Sequence, residues 1–395
     1  MKKTLLIFLF VAVVGAGLSA QELKWSGYVN TGLGFVYTDV DDVDPYFTAF
    51  GVDSGQFGYR FRLNGAYTNE EGNAGAKFRF QAQTNGNTPT LPYIYGWFKP
   101  IDMLTLNGGL VDDGTWASGG ALLNDDVGEG LGILAKLSVS GLDAGVGVYA
   151  GATGSGSNNN PIGSMNNNTI KPEDLKYVFS LGYTMENVFK FVASVRTASK
   201  TNGGIDIAFT GANRPNDAAI AGFKLLAVPK LTAVLEAKID HLSKFSDTGT
   251  VFIYETLAYD LGALDIGLNA GQYLNQADSS DLGLMAAPWV SYAIGKFVPR
   301  LDVLYFLAGK PSYVVDSGTG SSSGKYNFLN WEAYAPTWND DLSVLAVRPS
   351  VRFNFDSNTA IELGDIVNFE MGDKAFNGED NRLTNIFYVD LVWKF

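Results

Sequence analysis

Two short runs in the first quarter of the sequence place cationic residues at every second position. The cations are Arg60 and Arg62, separated by Phe61, and Lys77 and Arg79, separated by Phe78. Because side chains of a β-strand point alternately to its two faces, each run would carry its cations on one face. The short segment Asn69–Asn73 makes the runs antiparallel neighbours, with all four cations on one wall. Charges arranged in this way can select among ions by short-range electrostatic interaction, without any covalent step.

A later run repeats this pattern with arginine. Arg348 and Arg352 share one face of a predicted strand, and Val347 and Val351 occupy the other face. A cation that faces lipid near the bilayer midplane costs about 2–4 kcal/mol, so we expect all six cations to line an aqueous lumen. The alternative is a set of solvated lumen residues that have no role in selectivity.

Residues suited to catalysis or metal binding are sparse. His241 is the only histidine, and it lies beside Asp240 and Ser243 at the end of a predicted strand. Residues so close in sequence point in different directions, and no base beside a nucleophile is evident. The acidic run Asp39–Asp44 lacks the glycine and the distal glutamate of a calcium loop, so we interpret it as a solvated loop. The sequence therefore predicts no enzyme, no metal site and no cofactor.

The elements that must position these charges are strands. Runs of alternating apolar and polar residues recur from Lys24 to Phe395, and no stretch has the pattern of a long amphipathic helix. We count about 18 runs, and the number could be about 16. Short connections such as Glu186–Asn187 alternate with longer polar ones such as Asp39–Ser54, Gly151–Lys176, Gly309–Asp341 and Glu370–Leu383. The sequence predicts an all-β fold, a transmembrane antiparallel β-barrel of about 16–18 strands, with short turns at the periplasmic end.

The beginning of the sequence has the pattern of a secretory signal. Lys2 and Lys3 precede the apolar segment Leu5–Val14, and Leu18-Ser19-Ala20 forms a small-residue cleavage site. We therefore expect residues 1–20 to be a cleavable signal peptide and residues 21–395 to form one barrel domain.

Composition excludes several other classes of protein. Charged residues make up 17% of the chain, below the roughly 25% typical of soluble proteins, and aromatic residues make up 13%. The absence of cysteine excludes a disulfide-stabilised scaffold. A net charge of −13 argues against a nucleic-acid partner. The same acidic charge favours cations as permeants, although loops outside a pore contribute to it.

The last twelve residues, Thr384–Phe395, separate an aromatic and apolar face from a more polar one. One face carries Phe387, Val389, Leu391, Trp393 and Phe395, and the other carries Tyr388, Asp390 and Lys394. A strand between lipid and a watery lumen has this alternation. With the signal and the alternation over residues 21–395, the chain resembles the porin-like outer-membrane barrels of bacteria, including those of spirochaete-type bacteria.

The resemblance carries two implications for particular residues. It implies that the terminal strand, with Tyr388, Trp393 and Phe395, is recognised by the outer-membrane assembly machinery. It also implies that the third long connection folds into the lumen and faces the basic wall, as it does in general porins. The acidic residues of this connection are Asp112, Asp113, Asp125, Asp126 and Glu129. A plain surface loop explains the same residues.

We therefore expect a porin in the outer membrane of a diderm bacterium, which lets small hydrophilic solutes or ions diffuse through an aqueous lumen. Its expected partners are outer-membrane lipid, the assembly machinery, the solutes and, in a homotrimer, other copies of the chain. The alternative is an adhesin or structural surface protein that acts through the loops Gly151–Lys176 and Gly309–Asp341.

Overall fold

The computed structural model describes residues 23–39, 44–51, 56–57, 60–83, 86–111, 130–150, 175–197, 217–275, 281–307, 343–376 and 379–395. These residues form strands almost throughout. The strands are β1 (Leu23–Thr38), β2 (Tyr46–Gly51), β3 (Gln56–Phe57), β4 (Arg60–Thr68), β5 (Ala74–Gln83), β6 (Gly86–Ile101), β7 (Leu104–Val111), β8 (Gly130–Val139), β9 (Leu142–Ala150), β10 (Leu175–Met185), β11 (Phe189–Arg196), β12 (Ala218–Leu225), β13 (Leu231–Asp240), β14 (Thr250–Asp260), β15 (Leu264–Asn275), β16 (Asp281–Tyr292), β17 (Phe297–Leu307), β18 (Ser343–Asn354), β19 (Thr359–Phe376) and β20 (Glu379–Lys394).

Two short helical turns, Leu242–Lys244 and Phe245–Thr248, lie between β13 and β14. Within the described ranges, no helix has both the length and the apolar character needed to cross a membrane.

The sheet closes on itself. Each strand from β4 to β20 pairs antiparallel with the next, and β20 pairs with β1 from Tyr28↔Lys394 to Thr38↔Thr384. The other edge of β1 is shared, because residues 23–30 pair with β4 and residues 32–36 pair with β2. The β2–β3 hairpin thus fills part of the wall, and the remaining 18 strands form one barrel. The predicted all-β fold is confirmed, at the upper end of the predicted range of strands.

The two faces of the barrel differ in composition and exposure. On β17, the outward Leu301 and Tyr305 are each 41% exposed, whereas the inward Asp302 and Leu304 are 2% and 5% exposed. The other strands show the same period of two, because neighbouring side chains point to opposite faces. Aromatic pairs such as Phe297–Phe353 and Trp393–Phe395 lie on the outer face near the short turns, as in the aromatic girdles of membrane barrels.

Polar side chains build the short turns at one end of the barrel. In the β4–β5 turn, Asn69 Oδ1 accepts hydrogen bonds from the backbone N–H groups of Asn73 and Ala74, at 3.0 and 2.9 Å. In the β18–β19 turn, the Asp356 carboxylate accepts from the N–H groups of Asn358 and Thr359. These bonds lower the pKa of Asp356 because they stabilise its charged form. Local hydrogen bonding of this kind fixes the register of each hairpin.

Two connections differ from the sequence prediction. The segment Glu370–Leu383, predicted as a long connection, instead continues β19 and β20, with pairs such as Glu370↔Arg382 and Phe376↔Glu379. The predicted connection Asp39–Ser54 contains β2. Both segments are rich in Gly and Asp, which indicate turns when read locally, but a neighbouring strand supplies hydrogen-bond partners that local composition does not show.

Among the side chains that the structure describes, two charged ones lie on the outward face of the strands, Glu255 and Asp365. Glu255 pairs with the outward Leu235 on β13 and with Ala270 on β15. Asp365 pairs with the outward Phe387, and its Oδ2 accepts a hydrogen bond from Asn385 Nδ2 at 3.3 Å. These carboxylates interrupt an otherwise apolar outer surface, where a charge has few polar groups to stabilise it.

Candidate functional site

The cations of β4 and β5 form one wall of the lumen, which we call the basic wall (Arg60, Arg62, Lys77 and Arg79). The register staggers them, because Arg62 faces Gln81 and Arg79 faces Asn64 across the two strands. No two cations of this wall are therefore directly opposite, an arrangement that avoids the most unfavourable like-charge pairs.

Neutral partners orient the guanidinium groups of the basic wall. Arg79 Nε donates to Asn64 Oδ1 at 2.9 Å, and its guanidinium carbon lies 4.9 Å from the ring centroid of Tyr93. Arg62 Nε donates to Gln81 Oε1, and its guanidinium lies 5.6 Å from the Tyr28 ring. Amides and aromatic faces hold a cation in place without neutralising it. These contacts therefore position the two arginines on the wall of the lumen.

The late arginines also face inward, but carboxylates neutralise them. Arg348 is buried, and its Nε and Nη2 donate to Asp302 Oδ2 at 3.1 and 2.7 Å. Arg300 Nη2 donates to the other oxygen of Asp302 at 2.8 Å. Arg352 Nε donates to Glu362 Oε2 at 2.9 Å. Arg348 and Arg352 thus differ from the basic wall, because their charge is matched at the barrel wall.

The same side of the barrel holds further buried polar contacts. Tyr388 OH donates to Glu362 Oε1 at 2.8 Å, and the Tyr388 ring stacks on Phe50 with centroids 4.7 Å apart. Asn30 Nδ2 donates to both carboxylate oxygens of Asp390, at 2.8 and 2.7 Å. We call the residues Asn30, Arg300, Asp302, Arg348, Arg352, Glu362, Tyr388 and Asp390 the paired network. Its members join β17, β18, β19, β20 and β1 on the inner face.

His241 belongs to the turn that directly follows β13. It has a left-handed backbone, with φ of 58°, and its N–H donates to the Asp217 carbonyl oxygen at 2.8 Å. Asp217 Oδ2 accepts from the backbone N–H of Ser243 at 2.6 Å. Asp217 therefore holds the turn through the backbone. Among the described residues, no group of three or more His, Cys, Asp or Glu side chains is placed to hold a metal ion.

Comparisons with known proteins rest on structure. No family model matches the chain, and no curated protein sequence matches it. The crystal structure of Pseudomonas aeruginosa OpdL aligns with a TM-score of 0.51 and 10% identity, covering 95% of this chain and 99% of that one. A variant of Rhodopseudomonas blastica porin aligns with a TM-score of 0.49 and 14% identity, covering 95% of this chain and 100% of that one.

Closure of 18 antiparallel strands, together with an alignment to OpdL over nearly the whole chain, decides the fold. The chain has the fold of a porin-like β-barrel. At identities of 10% and 14%, the similarity concerns the fold alone.

The sequence also predicted an assembly signal and a constriction loop, and the structure describes the residues of the first but not those of the second. Trp393 and Phe395 lie on the outward face and are exposed, whereas Tyr388 points inward and is buried. The acidic residues Asp112, Asp113, Asp125, Asp126 and Glu129 lie outside the described residues. The flanking strands end at Val111 and begin at Gly130.

Sequence reasoning missed Asp302 and Glu362 of the paired network and a pair of inward lysines. Asp302 faces Arg348 and Glu362 faces Arg352 across adjacent strands, so a correct register would have brought these partners together. Lys190 and Lys224 lie alone among apolar residues of their strands, and their shared position follows only from the β11–β12 register.

Removing the carboxylate of Asp302 tests the paired network. Because Asp302→Asn leaves the buried Arg348 without its carboxylate, we expect the free energy of unfolding to fall by about 3–5 kcal/mol. Unfolding by urea in lipid vesicles, followed by circular dichroism, measures this change. Asp143→Asn is the matched control, because the Lys136–Asp143 pair, at 3.8 Å, is partly exposed and contributes less than about 1 kcal/mol. Equal losses in the two variants would contradict a buried, neutralised network.

Proposed function

We propose that the protein is a porin, which lets small hydrophilic solutes diffuse passively through its lumen. The observation that carries this proposal is the closed wall of 18 strands, since barrels of 16–18 strands leave an aqueous channel whereas those of about eight are filled by their own side chains. Charged side chains on the inner face of β4 and β5 support the proposal, because they are compatible with water in the lumen.

The proposed setting is the outer membrane, reached after cleavage of residues 1–20. The short turns would then face the periplasm, and the assembly machinery would recognise the terminal strand through Trp393, Phe395 and Tyr388. The outward Glu255 and Asp365 support a homotrimer, because contact between copies would remove these carboxylates from lipid.

We also propose that the acidic connection between β7 and β8 narrows the lumen. Its carboxylates, which include Asp125 and Asp126, would face the basic wall. The opposite charges would create an electric field across the lumen. Support comes from the position of the connection, which follows β7 near the basic wall strands β4 and β5.

Planar bilayer recordings test the porin proposal. Purified protein, shown to be folded by its heat-dependent migration on gels, should produce stepwise ion conductance because its lumen is aqueous. Neutral sugars of increasing size should reduce this conductance until they no longer enter. Folded protein that inserts and gives no steps would contradict a porin and favour an adhesin or structural role.

The same recordings test the acidic connection separately. In the double variant Asp125→Asn/Asp126→Asn, we expect a changed conductance and ion selectivity, because two charges leave the narrowest region. If both quantities equal those of the unchanged chain, the connection does not form the constriction.

A further inference from the structure

The carboxylates that point inward along much of the barrel are buried in its wall. Those of Glu236, Asp302, Glu362, Glu370 and Asp390 are between 0% and 6% exposed. Asp302 and Glu362 form ion pairs with arginines, and Asp390 is hydrogen-bonded to Asn30. A paired, buried charge exerts little field on ions in the lumen, because its partner cancels most of it.

Inward cations on β5, β11 and β12 differ from these carboxylates in both exposure and partners. Lys77 is exposed, Arg79 has a neutral amide partner, and Lys190 and Lys224 are half-buried. Among the described residues, no carboxylate forms an ion pair with Lys77, Lys190 or Lys224. The charge that these strands present to the lumen is therefore positive.

Lys190 and Lys224 bring two of these positive charges directly together. They are directly opposite each other on β11 and β12, close to the short turn that follows β10. Their inward neighbours on the flanking strands are Thr184 on β10 and Val234 on β13, both uncharged. Two like charges directly across a sheet are destabilising, and an anion between the ammonium groups would relieve their repulsion.

On β13, the buried Glu236 is opposite Gly222, two residues from Lys224. Other acidic residues reach the inner face near the short turns. Asp260 and Asp265 are directly opposite each other on β14 and β15, and Asp260 Oδ1 accepts from the N–H of Gly262 at 2.6 Å. Asp143 pairs with Lys136. The described inner face thus carries Lys77, Arg79, Lys190 and Lys224 on β5, β11 and β12, whereas acidic groups lie mostly on the strands that follow β12.

We propose that the lumen favours small anions, and that Lys190 and Lys224 form an anion-attracting pair at its short-turn mouth. The proposal rests on the proposed function and adds a substrate class, solutes that carry carboxylate or other anionic oxygen groups. It is opposite to the preference expected from the net charge of −13, because that sum also counts carboxylates that are buried in the barrel wall. Ammonium groups near a pore mouth raise the local concentration of anions.

Reversal potentials in planar bilayers under a potassium chloride gradient test this proposal. The unchanged chain should pass chloride more readily than potassium, and Lys190→Gln/Lys224→Gln should lower the chloride-to-potassium permeability ratio by at least about twofold. This effect should be larger in dilute salt, where charges are less screened. Lys230→Gln is the matched control, since Lys230 is exposed in the turn after β12, and it should leave the ratio unchanged.

The outcomes distinguish this proposal from the porin proposal. Stepwise conductance that prefers potassium, or a double variant with the same permeability ratio as Lys230→Gln, overturns anion selection and leaves the porin intact. Folded protein without any conductance overturns the porin and the anion selection with it. A chloride preference that falls only in the double variant supports the lysine pair as its source.

Discussion

Pairing between the first and last strands is the constraint on which the rest of this structure depends. Inside a bilayer no water is available to an unpaired backbone N–H or C=O group, so a sheet must close to have no edge. At the junction, Gly27 and Phe395 exchange backbone hydrogen bonds of 2.8 and 3.0 Å. A Cβ at Gly27 would lie 2.6 Å from Cζ of Phe395, so glycine allows the terminal aromatic ring to pack there.

Closure also places every strand side chain on either the inner or the outer face of the barrel. On the inner face, the basic wall and the paired network hold their charged side chains in different ways. In the basic wall, Arg79 is held by the Asn64 amide and the Tyr93 ring, which position its guanidinium without neutralising it. The paired network fastens β17–β20 and β1 by matching carboxylates with arginines and amides. Arginine is thus held by carboxylates in the paired network and, at Arg79, by a neutral amide in the basic wall.

Much of the fold could be predicted from the sequence, because alternation is a local property. The strand runs and the short turns follow from it, and so does the placement of Arg60 and Arg79 on one wall. The pairing of Arg348 with Asp302 depends on which residues face each other across strands, and that register is not local. The strand extension at Glu370–Leu383 was missed for the same reason. Net charge does not distinguish buried from exposed carboxylates, so by itself it does not describe the inner face.

Cysteine cross-linking across the junction tests closure most directly, since the chain contains no cysteine. Leu33 and Val389 are directly opposite on β1 and β20, within the separation that a disulfide spans. In a closed barrel, oxidation should join the two cysteines of Leu33→Cys/Val389→Cys within one chain, which is visible as altered migration on a non-reducing gel. Leu33→Cys/Asn385→Cys, about 13 Å apart in this register, should remain unlinked. No cross-link in the first variant, or equal yields in both, would contradict a closed barrel.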